Sequence, residues 1–336
     1  MLNYTEFSNL IKFYLENDDL APLFIEGESG IGKTQITEAV ALSLGFKPFV
    51  VQLGTKTLEY FMGLPSTIEV DGVKETQWTR PEVVFQINSF CEEKEGNKAL
   101  LFIDDFHLAG EEERKIMFEL LPEHSIHGFP LHKNVKIMLA ANPHSSEYGS
   151  TVSELPKPVS SRIMLYELRA SFEQWKAVSM EKGVSPLLLS FLEFNKSYFL
   201  GERGKNSQYP CPRAWWNLSA YLEKGAPITA ATIKAAVGDS AAAEFMAFYN
   251  VYQGFETKKP ESWMALDYQN KAALASYLIM KKDISLIRKY HEEMKADDSS
   301  RPLLVMLWKF LSSVEDKEFT EFFEKELPYD ILQDYL

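Results

Sequence analysis

Four residues of the stretch GESGIGKT, residues 27–34, have types and spacing suited to phosphate binding. Gly27, Gly32, Lys33 and Thr34 fill the fixed positions of G-x-x-x-x-G-K-[ST]. Glycines let successive backbone N–H groups turn inward on phosphate oxygens, and the helix that follows aims the positive end of its dipole at them. Glu28, Ser29, Gly30 and Ile31 complete such a loop. Lys33 would reach the β- and γ-phosphates of a nucleotide, and the Thr34 hydroxyl would bind Mg2+.

The stretch ALLFIDDF reads as a buried strand ending in two carboxylates, Asp104 and Asp105. Asp104 is placed to hold Mg2+ through water, and Asp105 to orient an attacking water. The same pair could instead cap the next helix, a role that suits Asp. VKIMLAANPH is a further strand, ending in Asn142 before Pro143. An amide there could help to place the water; alone, Asn-Pro is a common strand-to-turn junction. Downstream, Arg162 precedes the apolar run IMLYEL, and Arg213 stands in the first turn of a helix opened by Pro212. An arginine opposes the dipole at a helix start, which suggests that it faces an anion. Each arginine taken singly reads as a surface residue.

These residues need a strand, a loop and a helix in that order. PLFIE supplies the strand, and TQITEAVALSLG supplies an amphipathic helix with Gly45 as its stop. A helix is expected over YTEFSNLIKFYLEN, and strands over PFVVQL, KALLFID and VKIMLAAN. Wholly apolar strands between helices predict an α/β fold with a parallel sheet covered on both faces. Beyond residue 166 helical periodicity takes over, in PLLLSFLEF, PRAWWNLSAYLEKG, SAAAEFMAFYNVY and later stretches, with QGFETKKPES as a linker.

The chain of 336 residues is 46% hydrophobic and 25% charged, an ordinary globular composition with room for two or three domains. Its net charge of −13 speaks against a nucleic-acid partner, since such binders need a basic face; clusters such as Arg203 with Lys205 are small. Cys91 and Cys211 are the only cysteines, which fits a reducing compartment. The acidic N-terminus, with Glu6, Glu16, Asp18 and Asp19, shows no signal peptide, and no apolar run is long enough to span a bilayer. A cytoplasmic location is expected.

The ordered set of motifs closely resembles the MoxR-like branch of the dynein-related AAA+ ATPases. GESGIGKT corresponds to Walker A, LLFIDD to Walker B, LAANP to the sensor 1 region, SSR to the arginine finger and CPRA to sensor 2. TKTLEYFMGLPSTIEVDGVKETQWTRP resembles the insertion of that branch after the second strand, and ELLPEHSIHGFPLHKNVKIMLAANP resembles its helix and hairpin. The resemblance covers about residues 1 to 255. It implies a nucleotide-binding core over 1–165 with a five-stranded parallel sheet, a helical lid over 166–255 and a helical extension over 256–336. It also implies ATP and Mg2+ bound in a ring, usually hexameric, in which Arg162 enters the neighbour's site and Arg213 reports the γ-phosphate from the lid. Members encoded beside von Willebrand factor A-type proteins point to such a protein as partner, remodelled or activated at the expense of ATP. One departure stands out: the family usually has Glu where this chain has Asp105. Its carboxylate is one methylene shorter, and a shift of ~1 Å at a reacting water can cost about a hundredfold in rate.

Other features invite blander readings. His124, His127 and His132 lack a fourth ligand at metal spacing and read as loop residues. Tyr60, Phe61, Met62 and Phe129 are candidates for gripping a polypeptide in a central channel, against ordinary core packing. The tail with Glu315, Asp316, Glu318, Glu321, Glu324 and Glu326 beside Phe319, Phe322 and Phe323 reads as a solvated helix face. Two alternatives stand beside the remodelling machine: a nucleic-acid motor or loader like the McrB-type subunits, and a slow-hydrolysing nucleotide switch, which Asp105 motivates.

Overall fold

The structure is a computed structural model that describes residues 1–143, 160–201, 208–312, 314 and 319–322. Arg203, Lys205, Glu315, Asp316, Glu318, Phe323, Glu324 and Glu326 lie outside the described residues. Two compact units are formed, residues 1–171 and residues 172–336.

The first unit opens with α1 (Tyr4–Glu16), capped by Asn3 in a reciprocal box with Glu6. β1 (Leu23–Glu26), α2 (Lys33–Ser43) and β2 (Phe46–Gln52) follow, with Gly45 at φ 78° between α2 and β2. A glycine takes this left-handed turn at no steric cost, so the chain reverses within two residues. α3 (Leu58–Met62), the hairpin β3 (Pro65–Val70) and β4 (Val73–Trp78), and α4 (Glu82–Glu93) occupy the stretch between β2 and β5 (Lys98–Asp104). Then come α5 (Glu111–Glu123), the short hairpin β6 (Ser125–Ile126) and β7 (Phe129–Pro130), β8 (Val135–Ala141) and β9 (Met164–Glu167).

Five strands form one parallel sheet in the order β2-β5-β8-β1-β9. β5 is buried from Ala99 to Asp104 without a break, because both of its faces are covered. Its alternate residues Ala99, Leu101 and Ile103 join a core with Phe61, Val84, Ile87, Met117 and Leu120 from α3, α4 and α5. On α1, Phe7, Ile11, Tyr14 and Leu15 are buried, and the Tyr14 hydroxyl donates to the Ile137 carbonyl at 2.7 Å. That hydrogen bond and the surrounding apolar side chains push the phenol in opposite directions. Burial wins and raises it to about 12.

The second unit is helical. Among its helices are Phe172–Glu181, Pro186–Phe194, Pro212–Glu223, Asp239–Thr257, Tyr268–Lys281 and Arg301–Leu311. The stretch read as a linker is helical in its first half, since Asp239–Thr257 runs through Gln253 and Gly254 and is capped by Lys258. Helix Tyr268–Lys281 packs on both Pro186–Phe194 and Asp239–Thr257, so residues on the two sides of position 255 share one core. Lys176 and Glu193 form a buried ion pair at 2.5 Å in this unit. Among the described residues, no helix is long and apolar enough to cross a membrane.

Phe61 is 1% exposed and packed in the core of the first unit, so it is not available to grip a polypeptide. Tyr60 and Phe129 are half-buried against the same core. Trp215 is fully buried, while its neighbour Trp216 is 37% exposed and donates from Nε1 to Ser179 Oγ, as side chains about 100° apart on a helix require.

Candidate functional site

Parallel strands end at a common edge of their sheet, and that edge is where ligands bind in open α/β folds. Here Glu26 of β1 is in register with Ala141 of β8, and Gln52 of β2 with Asp104 of β5. The chain therefore leaves the sheet at Gly27, Asp105 and Asn142 along one edge. Gly27 N–H donates to the Ala141 carbonyl at 3.2 Å. A Cβ at Gly27 would lie 2.8 Å from both Ile31 Cδ1 and the Leu168 carbonyl oxygen, so only glycine fits. Gly32, at φ 104°, turns the loop into α2. Glu28 and Ser29 are half-buried, Gly30 is buried, and the 2% exposed Ile31 anchors the loop in the core.

Lys33 opens α2 and is 7% exposed. Its Nζ donates to the Gly27 carbonyl at 2.6 Å, the Glu28 carbonyl at 3.1 Å and Asn142 Oδ1 at 2.9 Å. These three acceptors are neutral oxygens. A buried cation so held is suited to an anion, and the first-turn N–H groups of α2 have no intrahelical acceptor.

Thr34 Oγ1 donates to Asp104 Oδ2 at 2.5 Å. Asp104 is 6% exposed, and its other oxygen accepts from the Asp105 N–H at 2.9 Å. A hydroxyl and a carboxylate are hard oxygen donors of the kind Mg2+ takes, and two such groups beside bound phosphates are what this ion ordinarily uses. The donor set fits the metal. Asp105 sits at φ 53°, a left-handed conformation that Asp adopts more readily than most residues.

His107 is a site residue that the sequence reading missed. It is 8% exposed; the Asn142 N–H is aimed at Nδ1 from 3.2 Å, and Nε2 lies 3.1 Å from Asn142 Nδ2. Burial lowers its affinity for a proton; Asp105 and Asp104 oppose that, while Lys33 and Arg114 add to it, and the net shift is below the ordinary histidine value. Its only sequence signal is a position three residues beyond Asp104, in the turn that leaves β5.

Lys33, Thr34, Asp104, Asp105 and Asn142 are thus brought together at the end of the sheet. Arg162 is not. It precedes Met164, which is paired with Leu23 at the start of β1, so Arg162 lies at the opposite edge, exposed to solvent. Four strand residues at about 3.3 Å each put roughly 13 Å of sheet between the two edges. Arg213 is the second residue of helix Pro212–Glu223 in the other unit and is exposed. His124 and His127 sit in left-handed turns flanking β6, and the His127 ring packs on Trp78 at 4.8 Å.

Residues 22–163 match the family described as AAA domain (dynein-related subfamily). No curated protein sequence matches the chain. Among solved structures, the Thermotoga maritima RuvB Holliday junction branch migration motor is similar at 13% identity, over 83% of this chain and 86% of that one, with a TM-score of 0.40. A mutant of Thermotoga maritima RuvB is similar at 13% identity over 83% of this chain and 90% of that one, with a TM-score of 0.40. Likenesses this slight carry no argument about what the chain acts on. The loop on β1, the paired acids on β5 and the amide on β8 all fall within the segment, residues 22–163, that is similar to the AAA domain of the dynein-related subfamily.

Proposed function

We propose that the chain binds ATP with Mg2+ at this edge of the sheet and hydrolyses it, within a ring of copies. The observation that carries the reading is the placement of Lys33 against the Gly27 carbonyl and Asn142, with Thr34 on Asp104 beside it. Lys33 and the loop N–H groups would bind the β- and γ-phosphates. Thr34 and Asp104 would hold Mg2+, which neutralises charge on the phosphate oxygens when bound. Asp105 would accept the proton of the attacking water, and Asn142 would orient that water. Arg162 of a neighbouring copy would stabilise charge developing on the γ-phosphate, and Arg213 would report its presence from the helical unit. An exposed arginine at the edge away from its own loop supports action on another copy.

The work done with this energy is remodelling of a partner protein, of the MoxR type, with a von Willebrand factor A-type domain as the partner. That part of the reading rests on the insertion after β2 and the hairpin before β8, whose sequences resemble that branch. A slow-hydrolysing nucleotide switch is a second reading, favoured by Asp105 with its short arm and left-handed backbone.

Binding of ATP to the purified protein, measured by calorimetry with and without Mg2+, tests the first step. Lys33→Ala is expected to abolish both binding and turnover. Turnover unaffected by Lys33→Ala would refute the proposal.

A further inference from the structure

Asn142 Oδ1 accepts from Lys33 Nζ at 2.9 Å, so the nitrogen of the same amide is turned toward His107 Nε2, 3.1 Å away. The backbone N–H of Asn142 faces the other ring nitrogen, Nδ1, at 3.2 Å. Both nitrogens of one imidazole therefore face N–H donors of a single residue. A neutral imidazole has one N–H and one lone pair, and can accept only one of the two bonds offered. A protonated ring would accept neither, and burial disfavours that form.

One rearrangement satisfies both ring nitrogens. When the Asn142 amide turns over, its Oδ1 accepts Nε2–H of His107, and the backbone N–H donates to Nδ1. The turn withdraws the oxygen from Lys33 and presents it with an NH2 group instead, a donor facing a donor. Lys33 thus locks the amide in one sense for as long as it keeps this acceptor. A phosphate oxygen is a stronger acceptor, because its charge assists the bond.

We propose that His107 is a positioning residue for hydrolysis: once Lys33 moves to a phosphate oxygen, Nε2–H of His107 captures Asn142 Oδ1 and fixes the amide with its NH2 toward the phosphate loop. This inference rests on the ATPase reading above. His107 touches no reacting atom and acts through Asn142. The coupling makes nucleotide occupancy, sensed by Lys33, set the orientation of the group assigned to place the water. A ring kept only for packing would have no such dependence.

The test follows the ring nitrogens by 15N NMR in histidine-labelled protein, with the His107 signals among the six histidines assigned through His107→Phe. In the natural chain without nucleotide, the Asn142 NH2 held toward Nε2 competes for its lone pair and keeps a share of the ring in the Nδ1–H form; Mg2+ with a non-hydrolysable ATP analogue is expected to move the ring wholly to the Nε2–H tautomer. Lys33→Met is expected to show that tautomer without any nucleotide, since Asn142 is then released. In turnover assays His107→Phe should keep KM within about threefold and lower kcat at least tenfold. His107→Gln, which can both donate and accept, should recover most of the loss. An unchanged tautomer in Lys33→Met, or equal kcat for the Phe and Gln variants, overturns the coupling. Failure of the analogue to bind overturns the ATPase reading instead, and the Lys33→Met spectrum still decides the coupling.

Discussion

Thr34 Oγ1 donates to Asp104 Oδ2 across 2.5 Å, although 70 residues separate the two in the chain. The bond joins the first turn of α2 to the last residue of β5, and it holds side by side the two groups proposed above to bind Mg2+.

Thr34→Ala and Asp104→Asn are both expected to lower turnover on the order of a hundredfold or more, as removal of a preorganised charge-stabilising group does. Thr34→Ser keeps the hydroxyl and should stay within a few-fold of the natural chain. Turnover measured across a Mg2+ titration checks this: in the two damaging variants, the dependence on Mg2+ should shift to higher concentration.

Arg162→Ala should leave ATP binding intact and lower turnover by about 10³ to 10⁵. Because Arg162 lies at the edge away from its own loop, mixing makes the sharper test. Arg162→Ala chains retain an intact loop, and Lys33→Ala chains retain the arginine, so combined rings should regain turnover that neither possesses alone. Absence of recovery in mixed assemblies would place the arginine's action elsewhere.

Asp105→Glu lengthens the carboxylate arm by one methylene and is expected to raise turnover, by up to about a hundredfold if distance to the water is limiting. The left-handed backbone at φ 53° suits Asp better than Glu, so the gain should come with a loss of stability of ~1 kcal/mol. Steady-state rates and thermal unfolding of the two proteins measure both. A rate that does not rise would mean that the natural carboxylate already meets the water.

In the helical unit, Asp297 accepts from Lys271 Nζ at 2.7 Å and from the hydroxyls of Ser299 and Ser300. Burial pushes the carboxyl up, but Lys271, Ser299 and Ser300 outweigh it and hold it far below its ordinary 3.8. A carboxyl depressed in the folded state stabilises the fold above its unfolded value, and that contribution is lost as pH falls through the folded one. Asp297→Asn should therefore be less stable than the natural chain at pH 7. The difference should narrow as pH falls below about 4. Unfolding curves from pH 7 to 2 test the convergence.

Much of the site was legible in the sequence because its parts are local. The glycine spacing, the lysine at a helix start and the acids at the end of an apolar strand are each decided within a few residues by backbone freedom, the helix dipole and burial. The covered parallel sheet could be read for a similar reason, since KALLFID leaves no polar face. Periodicity served less well at QGFETKKPES, where one glycine in an exposed helical turn did not stop the helix. Only the tertiary structure decided that Phe61 packs inward, that Arg162 stands at the far edge from its own loop, and that His107 meets Asn142. The order β2-β5-β8-β1-β9 places β8 between β5 and β1, so Lys33, His107 and Asn142 converge from three separate strand ends. No spacing along the chain encodes that convergence. It follows from which strands pair, and pairing is settled by the burial of both sheet faces at once.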